Sequence, residues 1–246
     1  MSRSEAAPPG ASGPPHPGEQ HHDGFAGRLN WLRAGVLGAN DGIVSVAGVV
    51  IGVAGATTQA GPIALAGAAA LIAGALSMAG GEYVSVSTQR DTERAALRLE
   101  EWELRTYPQE ELEELAGMYR ERGLSEQLAQ QVAEELTARD ALRAHAESEF
   151  GFTPGDLTSP WTAALSSLIS FTVGALLPLI AILLPIGPLR IPVTVVAVLV
   201  GLALTGYFSA RLGKAVPWRA VLRNLAVGIV TMGLTYAAGT FFGGVV

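Results

Sequence analysis

Carboxylates in tight pairs are the residues here with spacing fit for chemistry. Glu100 and Glu103 stand one helical turn apart, and Glu111 and Glu114 repeat that spacing, as do Glu110 and Glu113. Residues three or four apart on a helix face the same way. Further along, His145 and Glu149 are i, i+4 neighbours. Two or three such pairs facing one another form a cage of oxygens with one imidazole, a donor set for Fe²⁺, Mn²⁺ or another hard-to-borderline divalent cation. The same residues also fit a solvated acidic face on amphipathic helices. What favours metal is the repetition of the pairs beside acids embedded in apolar sequence, Asp41 and Glu82.

The carboxylate pairs occupy one block. Residues 90–149 hold 16 acids and 8 bases, a net charge of −8, while the rest of the chain carries +2. Outside that block the chain is membrane-grade. It is 49% hydrophobic and 15% charged over 246 residues, with 30 glycines. Its mean hydropathy is +0.35. Soluble domains carry about a quarter charged residues. Nucleic acid is excluded as a partner, because a phosphate backbone needs a basic face. With no cysteine, disulfides, thiolate metal sites and thiol redox chemistry are excluded as well.

Five apolar segments approach the ~20 residues a bilayer requires: 31–56, 62–88, 161–184, 191–212 and 221–245. Arg28 and Arg33 flank the first, Arg90, Arg94 and Arg98 follow the second, and Arg211, Lys214, Arg219 and Arg223 lie between the fourth and fifth. The loops on the other side carry only Arg190. The positive-inside rule then places the N-terminus and the acidic block in the cytoplasm and the C-terminus outside. Arginine over lysine and the Ala/Gly-rich composition point to a bacterial plasma (inner) membrane.

The expected fold is an all-α integral membrane protein. Five transmembrane helices carry a cytoplasmic acidic helical insert between helices two and three. The expected divisions are a disordered tail over 1–27, helices one and two over 28–89, acidic metal-binding helices over 90–150, and helices three to five over 151–246. His16, His21 and His22 lie in the tail. Within the insert, the second span's helix runs on to about Arg105. Pro108 opens a second helix to Arg122, and Ser125 and Glu126 open a third to about Phe150. Leu128, Val132, Leu136 and Leu142 offer that third helix an apolar seam.

An ionisable residue inside a span is costly and by default marks a pathway. Asp41 lies about eleven residues into the first span, roughly 16 Å deep at about 1.5 Å per residue. Met78 lies about ten residues deep from the cytoplasmic end of the second, so the two share a level. Glu82 is one turn nearer the cytoplasm on Met78's face. A thioether with carboxylates suits Fe²⁺ better than Mg²⁺. The bland alternatives are a capping Asp41, a packing Met78 and a Glu82 that snorkels to the interface. The glycine pairs Gly38/Gly42 and Gly48/Gly52 permit close helix approach, either within the chain or in a dimer.

Two stretches carry a resemblance. GANDGIVS at residues 38–45 and SMAGGEYVSVSTQRD at residues 77–91 resemble the first- and second-span signatures of the vacuolar iron transporter family. The likeness extends over about residues 27–246. It implies a five-span homodimer that moves Fe²⁺ out of the cytosol in exchange for protons, through a pathway between the subunits. It implies that Asp41 and Met78 are pore ligands and Glu82 the acid one turn on. It also implies that Glu100, Glu103, Glu111, Glu114 and Glu149 are the metal-binding acids of the insert. The family's sulfur ligand near the last of these has no methionine counterpart, and His145 is the nearest replacement.

The function expected is therefore export of a divalent metal from the cytosol by proton antiport. Fe²⁺ is the cargo, with Mn²⁺, Zn²⁺ and Co²⁺ as further candidates, and no resident cofactor. The expected partners are metal ions, protons, membrane lipid and a second copy of the chain. The alternatives are a membrane-bound metal-binding protein or ferroxidase, and a metal-sensing scaffold without transport. No His-Glu-x-x-His or serine nucleophile motif supports an enzyme.

Overall fold

The computed structural model describes residues 25–155 and 158–244, with side chains from residue 35 onward. The tail expected over 1–27, with its three histidines, falls outside the described residues except for its last three positions. Those belong to the first helix.

The described residues are helical, with no strand among them. In chain order the helices are α1 (Phe25–Ala56), α2 (Ala60–Thr106), α3 (Pro108–Glu121), α4 (Glu126–His145), α5 (Pro160–Leu183), α6 (Arg190–Leu212) and α7 (Pro217–Gly243). A π-helical turn, Ala146–Phe150, continues α4, and a 3₁₀ turn, Gly187–Leu189, precedes α6. Five helical segments are long and apolar enough to cross a membrane: Gly35–Ala56, Ala60–Thr106, Pro160–Leu183, Gly187–Leu212 and Pro217–Gly243. Proline stands in the first turn of α3 and of α7, where its missing N–H leaves no hydrogen bond unmade.

The chain forms two compact units, Met1–Tyr83 with Trp161–Val246, and Val84–Pro160. In the first, a core of Ile43, Val46, Val50 and Ile51 from α1 packs with Ile63 of α2, Phe171 and Ile182 of α5, Val198 and Leu202 of α6, and Met232 of α7. Large apolar side chains such as Ile72, Trp161, Ile180, Val230 and Phe241 are exposed, as a lipid-facing surface requires.

The glycine pairs of α1 are spent inside the chain. Gly38 and Gly42 face α5, and a Cβ on Gly42 would strike the Phe171 carbonyl. Gly48 and Gly52 face α7, where a Cβ on Gly239 would strike the Gly52 carbonyl. Small residues let backbones approach in this way where no hydrophobic force drives helices together. Gly42→Leu or Gly239→Leu should each destabilise the detergent-solubilised protein by about 1–3 kcal/mol or more, the range for overpacking. Gly233→Ala, a site with open space around it, should leave the melting midpoint unchanged. Equal melting curves for all three variants would contradict this packing.

In the second unit, α3 and α4 meet over Leu115, Ala116, Ala133 and Ala144, with Leu112, Tyr119 and Leu136 against them. The seam differs from the one expected. Ala129 and Ala133 are buried, whereas Leu128 is exposed. Leu136 of the expected seam packs there, and alanines take the buried positions beside it. Ser125 caps α4 as expected, its Oγ accepting from the Leu128 N–H at 3.4 Å. The third insert helix does not run unbroken to Phe150. Asp140 is extended (φ −166°, ψ 92°), and the last five residues form the π turn.

Candidate metal centre

Glu100, near the end of α2, Glu111, in the first turn of α3, and His145, at the end of α4, bring ligand atoms within 4.8 Å of one another. All three are buried: Glu100 is 2% exposed and His145 0%. His145 Nδ1 stands 2.8 Å from Glu100 Oε1 and 3.7 Å from Glu111 Oε2. Neither imidazole nitrogen, nor Glu100 Oε1, finds a hydrogen-bond partner among the described residues. Buried polar atoms are normally satisfied. Unsatisfied atoms on His145 and Glu100, brought beside Glu111, suit a cation held among the three residues.

Three elements set this geometry. α2 continues past the ~20 residues needed to cross a bilayer, which carries Glu100 and Glu103 beyond the span. Pro108 at the start of α3 fixes a sharp re-entry, so Glu111 follows Glu100 after a single turn of chain. The α3–α4 seam then lays His145 over both.

The charge environment extends the site to the other acids expected. Burial, followed by the charges of Glu149, Glu111, Glu103 and Glu114, pushes the Glu100 carboxyl up to about 7. Burial and then Glu114, Glu103, Glu149 and Glu110 raise Glu111. Burial, Glu114 and Glu103 raise Glu149, partly offset by a hydrogen bond with Glu100. Burial lowers His145 against the opposing pull of Glu114 and Glu103, which keeps the imidazole neutral and its lone pair available. Glu103 is half-buried, and Glu114 and Glu149 are exposed at the rim. A carboxyl raised by burial and by neighbouring acids is costly to ionise alone, and a divalent cation offsets that cost.

The membrane residues Asp41, Met78 and Glu82 belong to the first unit. Asp41 is exposed on α1, where its Oδ1 accepts from Ser45 Oγ at 2.9 Å. Met78 is half-buried and packs on the transmembrane core. Glu82 is half-buried on α2. Among the described residues, neither Asp41 nor Glu82 joins a group of three metal-competent side chains.

One polar network went unread in the sequence. Thr205 Oγ1 of α6 donates to Asn40 Oδ1 at 3.5 Å, and Asn224 Nδ2 of α7 donates to Thr205 Oγ1 at 3.4 Å and to the Leu202 carbonyl at 3.3 Å. It ties α1, α6 and α7 together beside Asp41. The signal was available: Asn and Thr inside apolar segments need partners in a membrane.

A family model described as the VIT family matches residues 32–240, which include both motifs quoted above. The chain is 41% identical over 221 residues to a protein of Acanthamoeba castellanii named "Vacuolar iron transporter", covering 89% of this chain and 82% of that one. It is 35% identical to "Vacuolar iron transporter homolog 5" of Oryza sativa subsp. japonica, covering 89% and 83%. It is 31% identical to "Vacuolar iron transporter homolog 2.1" of Arabidopsis thaliana, covering 92% and 87%. With that match over most of its length and five membrane-grade helices beneath it, the protein is an integral membrane member of the VIT family.

Proposed function

We propose that this protein transports divalent metal, Fe²⁺ first, out of the cytosol in exchange for protons. The observation that carries the reading is the buried convergence of Glu100, Glu111 and His145, with unsatisfied atoms on Glu100 and His145 and the acids Glu103, Glu114 and Glu149 around them. The relatives named for iron transport support Fe²⁺ as the cargo. The donor set agrees, because carboxylates with one imidazole suit a borderline divalent cation. Mn²⁺, Zn²⁺ and Co²⁺ fit the same donors and are the cations to compare.

The arginine distribution supports a cytoplasmic insert, covering residues 90–150, and an external C-terminus. Composition supports a bacterial plasma membrane. The insert concentrates metal at the cytoplasmic face, and Glu82, Asp41 and Met78 pass it through the membrane. Asp41 supports a homodimer. A carboxylate at mid-span costs about 2.5–3.5 kcal/mol on insertion scales, yet Asp41 is exposed on its own protomer. A second copy placed over it makes a shared, hydrated pathway with two such acids. Carboxylates that release metal take up protons, and this supplies the exchange.

Reconstituted vesicles loaded with a metal-responsive dye test the reading. Fe²⁺ should enter well above empty-vesicle leak, with the other three divalents ranked against it. Leak-level signals for all four metals would contradict it.

A further inference from the structure

His145 and Glu149 do not ride on α4 as a straight continuation. They sit on a short helical piece that starts afresh at Asp140. That residue is extended, and its Oδ1 accepts from the Arg143 N–H at 3.1 Å. This is an N-cap: a non-helical residue whose carboxylate satisfies an N–H that lacks a partner in the first turn of the new helix. The far end of the piece is fastened as well. The Ser148 carbonyl accepts from Arg122 Nη2 at 2.8 Å, and Ser148 Oγ lies 3.5 Å from the Tyr119 hydroxyl. Between the two ends, Glu147 accepts from Arg143 Nε at 2.7 Å and from Thr153 Oγ1 at 3.1 Å.

We propose that Asp140 is a positioning residue for metal capture. Its cap resets the axis of the last helical piece so that His145 turns onto Glu100 and Glu111. The proposal rests on the reading of that trio as a metal site. With Asp140 helical, residues 141–149 would follow the axis of Glu126–Arg139, and every side chain beyond the break would be rotated and shifted. Asp140 itself is exposed and is not among the residues that converge on the site. Its effect on metal passes through the backbone.

The test uses the full chain in detergent, titrated with Co²⁺ as an air-stable probe and followed by its visible d–d bands and by paramagnetically shifted imidazole protons. Asp140→Ala should weaken Co²⁺ binding roughly tenfold, the lower end of what supporting groups around metal ligands carry, and should remove the imidazole signal. Asp140→Asn keeps the capping oxygen and should restore both, which separates positioning from charge and from a general folding defect. Wild-type affinity with an intact imidazole signal in Asp140→Ala would overturn the proposal. So would equal weakening in Asp140→Ala and Asp140→Asn. Glu100→Gln serves as the separate check: if it binds Co²⁺ as the wild type does, the metal reading of the trio has failed, and the proposal falls with it.

Discussion

Asp41→Ala is expected to abolish Fe²⁺ flux in proteoliposomes while leaving a folded protein. Asp41 is the acid in the first span, and its side chain is exposed and held only by Ser45 at 2.9 Å. Its neighbours carry the packing: Gly42 and Ile43 are buried against the rest of the transmembrane unit. Removing the carboxylate therefore deletes a charge, and the proposed ligand, without opening a cavity. Loss of an outer-shell partner alone costs roughly 10–100-fold in metal affinity or activity, so loss of a ligand in the pathway should cost at least that. Asp41→Asn keeps the volume and the hydrogen bond from Ser45 and should fail as well, because in the proposed exchange metal and proton share that charge. Sustained flux in either variant would remove Asp41 from the pathway.

The second large effect is expected at the insert. Glu100→Gln combined with Glu111→Gln should weaken divalent binding by about 100-fold or more, since two of three buried ligands lose their charge. Binding should also depend on pH with a definite sign. Glu100 is pushed up to about 7, and Glu111 and Glu149 are raised too. Carboxyls raised in this way hold protons more readily in the metal-free site, and metal bound there would displace them. Affinity should rise as pH increases through about 7 and level off above it. The metal-free fold follows the opposite course. Carboxyls with raised folded-state pKa values add stability below their unfolded value, and that stability is lost as pH rises through the folded value. Adding metal at high pH should recover it. His145, lowered by burial, works against the carboxyls below its ordinary pKa, but it is one group against three. A pH-independent affinity from isothermal titration would contradict this assignment of the protons.

Much of this was legible in the chain because it rests on local rules. Apolar length marked the five crossing segments, and α2 ends at Thr106, within a residue of the expected point. Helical spacing marked the pairs Glu100/Glu103, Glu111/Glu114 and Glu110/Glu113, the family resemblance singled out the first two, and those four acids enter one electrostatic cluster with His145 and Glu149. What spacing left open was how deeply each acid is placed. Glu100 and Glu111 are buried while Glu114 is at the rim, and only the α3–α4 packing decides that. The alanine seam escaped for a related reason, since burial of a small side chain follows from its partner rather than from its own hydrophobicity. The break at Asp140 escaped because an aspartate inside a helical stretch reads as surface charge until the N–H it caps is known. The glycine pairs showed that backbones would touch, and the fold supplied the partners, α5 and α7. The Asn40–Thr205–Asn224 network joins positions 165 and 19 residues apart, a distance no local pattern spans.

Exchange of metal for protons is tested most directly by recording Fe²⁺ and lumenal pH together in one preparation. Vesicles carry the reconstituted protein, a metal-responsive dye and a pH dye. Fe²⁺ added outside should enter while lumenal pH rises, and an acid-inside gradient should speed entry. Asp41→Ala should silence both signals. Fe²⁺ entry at an unchanged lumenal pH, indifferent to the gradient, would contradict the account.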